Sequence, residues 1–187
     1  GLHNILVGVE SGNNHTLQLM HKEGTVEDFY RLLEVADRYG VKILASTILG
    51  VPSDAYAGGA RRAFAEEFSE LVALSRRICT GARQHYLFVN PYIPFPSAAL
   101  YPKALSLGFQ PPHNLEGWGK YRYQEAHVPW ITVNEWRKVA FLNDVLLMLS
   151  VDFHALTKTL PALHRGWMLA LIGVLKRIGR WRQRHNS

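Results

Sequence analysis

With 187 residues, 48% of them hydrophobic and 19% charged, the chain has the composition of a globular protein with a sizeable core, one domain plus an appendage. The net charge of +6 resides in residues 164–187, which hold six of the 21 Lys and Arg and no acid; the other 15 balance the 15 Asp and Glu, and a neutral body argues against a face that reads nucleic acid. The single cysteine, Cys79, excludes internal disulfides and any cysteine-only metal or cluster site, and its place at the end of an apolar helical pattern marks a packed thiol.

The chain opens on Gly1, and Ile5-Leu6-Val7-Gly8-Val9 follows almost at once as a short apolar run of the kind that forms a buried strand, so a natural continuation upstream is expected. A short helix is predicted over Asn14 to His21. Thr25 then opens a capping box with Asp28, and Phe29, Leu32, Leu33 and Ala36 recur at helical spacing until Gly40 stops the helix. Val41 to Leu49 reads as the second strand, broken by Gly50-Val51-Pro52. After a loop of small residues, Ala60 to Cys79 carries Ala63, Phe64, Phe68, Leu71, Val72 and Ser75 on one face, a long amphipathic helix. Tyr86 to Val89 is a third strand. This alternation predicts βαβ crossovers and a parallel sheet, but three strands cannot close a barrel and leave an edge that calls for partner strands upstream.

Beyond residue 106 the pattern changes. Residues 107–131 are rich in Pro, Gly and aromatic rings without periodicity, and read as an ordered loop packed by its own rings. Thr132 and Glu135 form a second capping box, opening a helix to about Ser150, and residues 132–187 read as a helical extension. Pro161 separates its last helix, residues 163–184, where Trp167, Met168, Leu171, Ile172, Leu175, Ile178 and Trp181 form one apolar face flanked by Arg and Lys. That helix either docks on the body or makes peripheral contact with an anionic membrane surface.

In parallel α/β architectures, ligands gather at the carboxyl ends of the strands, because loops and unpaired amide donors converge there. Glu10, Ser46, Thr47 and Asn90 fall at or near such ends. Glu10 can accept from hydroxyl or ammonium donors, Lys22 can hold a carboxylate or phosphate, and Gly50 lets a flat ring approach the backbone. The same spacing also allows a structural Glu10–Lys22 ion pair. The nine histidines show no metal-binding spacing. Tyr86, Tyr92, Phe95 and Tyr101 serve either as packing or as the lining of a substrate cavity.

The stretch GVESGNNHTLQLMHKEGTVEDFYRLLEVADRYGVKILASTILGVPSD resembles the second half of the radical S-adenosylmethionine barrel, closest to the cobalamin-binding-domain type. YIPFPSAALYPKALSLGF, PPHNLEGWGKY and Trp130 resemble the segment that follows the barrel in those relatives. The resemblance covers about residues 4–135. It implies an α/β fold: a partial (β/α) barrel of parallel strands over residues 1–106, then the helical extension. It further implies that Glu10 contacts the polar part of S-adenosylmethionine, Lys22 the methionyl carboxylate, Ser46 or Thr47 the ribose, and Ile48, Gly50 and Asn90 the adenine.

Departures accompany it. The family's Gly-Phe-Pro-Gly-Glu-Thr stands here as Gly50-Val51-Pro52-Ser53-Asp54-Ala55, and its Pro-Gly-Thr as Pro96-Ser97-Ala98, so the chain is a divergent member on this reading. The three cysteines that hold the family's 4Fe-4S cluster are absent, so this chain alone is expected to be inactive; cluster ligands, and cobalamin if used, belong to an upstream part of the same protein. The function implied for the complete protein is radical chemistry, such as methylation or cyclisation, on an apolar substrate. Two alternatives stay open: a different (βα) barrel enzyme binding a phosphorylated ligand at Glu10 and Lys22, or a non-enzymatic interaction or membrane-tethering module. No signal peptide is visible and the longest apolar run, at Trp167 to Leu175, is too short to span a bilayer, so a cytoplasmic location, with or without membrane association, is the expectation.

Overall fold

A computed structural model describes residues 1–79, 85–120 and 128–150. Three parallel strands, β1 (Asn4–Glu10), β2 (Lys42–Leu49) and β3 (Tyr86–Pro91), form one sheet in the order β1-β2-β3. Helices α1 (Asn14–Leu19) and α2 (Val26–Tyr39) connect the first pair, and α3 (Asp54–Cys79) leads towards the third strand. Short helices α4 (Tyr101–Ser106) and α5 (Leu115–Lys120) follow, then α6 (Val133–Ser150).

Local chemistry accounts for the boundaries. The Thr25–Asp28 capping box forms as expected, with the Thr25 hydroxyl accepting from the Asp28 amide at 3.1 Å and the Asp28 carboxylate accepting from the Thr25 amide at 2.9 Å. Gly40 ends α2 at φ 74°. Thr132 and Glu135 make the corresponding exchange at the start of α6. Three elements begin or lie where sequence periodicity gave no sign of them: α3 starts at Asp54, with a non-helical break at Gly59, α4 forms over Tyr101–Ser106, and α5 forms inside the aromatic segment, where Asn114 accepts from the Gly117 amide at 2.8 Å. Single helical turns of this kind are too short for a 3.6-residue period to register.

The strands bury one face. Val9, Ile43, Ala45, Leu49, Leu87 and Val89 join a continuous core with Phe29 and Leu33 of α2, Phe64, Leu71, Leu74 and Ile78 of α3, and Val139 and Leu146 of α6. Val128, Trp130 and Ile131 belong to the same core, so the sheet, the aromatic segment and the start of the extension are packed together. The opposite face carries Leu6, Ser46, Phe88 and Asn90 and stays open; Leu6 is 75% and Phe88 43% exposed.

The two sheet edges differ. Asn143 of α6 donates to the Val89 carbonyl at 2.9 Å and accepts from the Val89 amide at 3.0 Å, so α6 covers the outer edge of β3. At the other edge, among the described residues, β1 pairs with β2 alone. His85, buried before β3, joins layers: its Nδ1 accepts from the Ile43 amide at 3.0 Å, which leaves Nε2 as the donor to Asp37 of α2 at 3.1 Å.

The predicted helix at residues 163–184, the tyrosines at 121 and 123, and Pro161 lie outside the described residues. Among the described residues no helix is long and apolar enough to cross a membrane.

Candidate functional site

The turn after β1 is built residue by residue. The ladder slips between Gly8, opposite Ser46, and Glu10, opposite Thr47, which makes Val9 the extra residue of a bulge. Glu10 adopts φ 65°, a left-handed conformation that a glutamate takes at a cost of about 1 kcal/mol. Its carboxylate folds back over Gly8, where a Cβ on Gly8 would collide with it. The Ser11 hydroxyl then accepts from the Asn13 amide, the Asn13 side chain caps α1 through the Thr16 amide, and Asn14 accepts from the Val26 amide at 2.8 Å, fixing the start of α2.

Lys22 arrives at the same point through the end of α1. His21 takes φ 55°, and the Lys22 amide donates to the Leu17 carbonyl at 2.9 Å while the His21 amide donates to Gln18 at 3.0 Å, a Schellman turn. The turn places the Lys22 Nζ 3.7 Å from the Glu10 Oε1, with the side chains 41% and 23% exposed. A half-exposed pair at this distance contributes about 0–1 kcal/mol, so its groups are available to a ligand at low cost.

Gly8 shares its parity with exposed Leu6, so Glu10 and Lys22 lie over the open face. Gly8 pairs with Ser46, and Ser46 with Phe88, in one row across the sheet. Asn90, in the next row opposite Ile48, donates through Nδ2 to the Ser46 Oγ at 2.8 Å. Glu10, Lys22, Ser46, Ile48 and Asn90 therefore share the open face. Phe88 joins them as a half-exposed ring whose only sign in the sequence is its alternation with Leu87 and Val89.

Thr47 and Gly50 are placed differently. Strand alternation turns Thr47 to the helical face, 1% exposed, with its hydroxyl donating to the Phe88 carbonyl at 3.2 Å, so Ser46 is the residue of that pair that faces the site. Gly50 adopts φ 84°, but its backbone is covered: a Cβ there would lie 2.5 Å from Ile131 Cδ1 and 3.8 Å from Val128 Cγ2. Its amide donates to Glu67 Oε1 at 3.0 Å and its carbonyl accepts from Trp130 Nε1 at 3.1 Å.

No protein-family model matches this chain, and no curated protein is found similar to it.

Glu67 is the residue that motif reading passes over. It stands on the apolar face of α3 between Phe64 and Leu71, and a carboxylate on such a face is a signal in its own right. Burial pushes its carboxyl up to about 7, against the opposing effect of hydrogen bonds from the Tyr56 hydroxyl and the Gly50 amide. Burial and the adjoining Glu67 charge hold the Tyr56 phenol far above its usual range.

Among the described residues no group of three or more His, Cys, Asp and Glu could hold a metal ion. Cys79 ends α3, and burial raises its thiol to about 11, the opposite of what an iron ligand needs. Tyr92 continues the β2–β3 ladder through its amide to the Leu49 carbonyl at 2.9 Å and is buried in the core, its hydroxyl without a hydrogen-bond partner among the described residues. A groove of about 490 Å³ lies elsewhere, between α3 and α6, lined by Phe68, Phe141, Leu142 and Val145 with Arg137 and Lys138; none of the candidate residues borders it.

Proposed function

We propose that this chain is the cofactor-binding arc of a radical S-adenosylmethionine enzyme that acts on an apolar substrate. The observation that carries the reading is the Glu10–Lys22 pair held over Gly8, one strand from the Ser46–Asn90 hydrogen bond on the same open face. An amino-acid zwitterion suits that pair: its ammonium replaces Lys22 beside Glu10 and its carboxylate replaces Glu10 beside Lys22, so each charge exchanges one partner for another. A phosphate dianion would instead meet the Glu10 carboxylate 3.7 Å from the ammonium it needs, which disfavours the phosphorylated-ligand alternative. Ser46 and Asn90 offer a hydroxyl and an amide to ribose hydroxyls, and exposed Leu6 and Phe88 give the same face apolar area for a substrate.

The sheet supports a partial (β/α) barrel. Parallel sheets bury both faces, either under two helical layers or by curling so that one face lines a barrel. Here the helices cover one face, α6 closes the β3 edge, and β1 is left to accept further strands. On this reading, the remaining strands, the ligands of a 4Fe-4S cluster and any cobalamin-binding unit belong to other parts of the protein. The residues present, with Cys79 as the one cysteine, do not fit a cluster. What S-adenosylmethionine brings to such a site is a sulfonium carbon–sulfur bond that breaks on one-electron reduction; Glu10, Lys22, Ser46 and Asn90 bind and orient it.

Calorimetric titration of the chain tests this. S-adenosylmethionine is expected to bind, Glu10→Ala and Lys22→Ala each to weaken it at least tenfold, or about 1.4 kcal/mol, and inorganic phosphate to give no saturable heat. Affinity unchanged by Glu10→Ala overturns the assignment.

A further inference from the structure

Arg137, Lys138, Phe141, Leu142 and Val145 recur at helical spacing and form one stripe along α6, with Phe68 of α3 opposite. The groove between them has a volume of about 490 Å³, which suits a small ligand. Phe68 and Leu142 are half-buried against the core, whereas Phe141 is 70% exposed, a large ring held in solvent beside an apolar channel. Charge is placed at one end only. Arg137 and Lys138 stand at the start of the stripe, and the apolar residues continue it to Val145, over about 12 Å at the helical rise. The Lys138 Nζ lies 6.0 Å from the centre of the Phe64 ring, which stacks on Phe68 at 5.6 Å, so the ammonium sits on apolar surface. Arg137 donates to the neutral Asn134 Oδ1 at 3.3 Å. Among the described residues neither cation pairs with a carboxylate, although Lys22, Arg31, Arg62, Arg77 and Lys103 all do.

We propose that the α3–α6 groove is a binding site for a fatty carboxylate of medium chain length. Its hydrocarbon chain lies along Phe68, Phe141, Leu142 and Val145, and its head group is held by Arg137 and Lys138. Charge selects this occupant. An uncharged apolar molecule leaves both cations unpaired, and a cationic one, such as the Arg- and Lys-flanked apolar residues at 163–184 of this chain, meets like charge at the groove's end. A flat bilayer surface reaches exposed Phe141 but not half-buried Phe68. The site is independent of the cofactor reading, since none of the residues around Glu10 and Lys22 borders the groove.

The test titrates the full chain with monomeric decanoate in calorimetry, where one saturable site per chain is expected. Phe141→Asp sets a carboxylate in the path of the hydrocarbon chain at an exposed position, and is expected to weaken decanoate about tenfold. Arg137→Gln combined with Lys138→Gln is expected to weaken decanoate about tenfold and to leave decanol unchanged. That pair of surface changes reads the head group and serves if the first variant folds poorly. Absence of saturable heat, or equal decanoate affinity in the wild-type chain and both variants, overturns the site. Dimerisation that Phe141→Asp abolishes, without decanoate binding, gives the groove to a second copy and overturns it too. So does retention on phosphatidylglycerol vesicles that Phe141→Asp abolishes, again without decanoate binding, which assigns the face to a membrane.

Discussion

Glu67 is a carboxylate in an apolar layer, and its titration is visible in stability. Its carboxyl lies at about 7 in the folded chain, above its ordinary 4.5, because burial penalises the charged form. Between those values the folded chain holds a proton that the unfolded chain releases. Stability therefore falls as pH rises from about 4.5 to about 7 and levels off above. Glu67→Gln removes that component: in denaturant titrations at pH 5 and pH 8, the wild-type chain is expected to lose more stability than the variant over the interval, and parallel behaviour of the two would refute the placement. The same residue shows what one-dimensional reading misses. Motif spacing singles out Glu10 and Lys22, but the partners of Glu67, Gly50 and Tyr56, are 17 and 11 positions away and meet it through packing alone.

At the scale of elements, helices announce themselves through caps and periodicity, while edges do not. The boxes at Thr25 and Thr132 are local chemistry and were legible in sequence. Asn143 was not: it sits between Val139 and Leu146 on a face that reads simply as apolar, yet its side chain completes the β3 edge as a strand backbone would. Asn143→Leu keeps the branched shape and removes both hydrogen bonds, and is expected to lower stability by about 1–3 kcal/mol in chemical denaturation, with faster exchange at the Val89 amide. A loss below a few tenths of a kcal/mol would show that α6 is held by its apolar residues alone. Alternation within β2 is the other element-level lesson. Ser46 and Thr47 are equivalent as neighbours in a sequence and opposite as members of a strand.

At the scale of the molecule, among the described residues, the sheet is asymmetric, covered at one face and one edge and open at the others. Leu2 and Leu6 at β1 are 66% and 75% exposed, and an unpaired parallel edge with exposed leucines invites pairing with another chain. The isolated chain is expected to self-associate in light scattering as concentration rises, and Leu6→Lys to shift it towards monomer while leaving its melting temperature nearly unchanged. A monomeric wild-type chain at high concentration would mean that this edge is not sticky. The same asymmetry leaves the open face available to a ligand, since the helical layer leaves it no core of its own to fill.

By itself the sequence determined the three strands, the body of the two long helices that join them, the capping boxes at Thr25 and Thr132, and the short list of polar residues at strand ends, because each depends on periodicity or on neighbours within a few positions. Only the tertiary structure decided which of those residues share a face, that Lys22 closes on Glu10 while Thr47 turns away, that Glu67 and Trp130 grip Gly50, and that Asn143 seals an edge. Those relations join residues far apart in the chain, and they arise from packing several layers around one core, which no local pattern encodes.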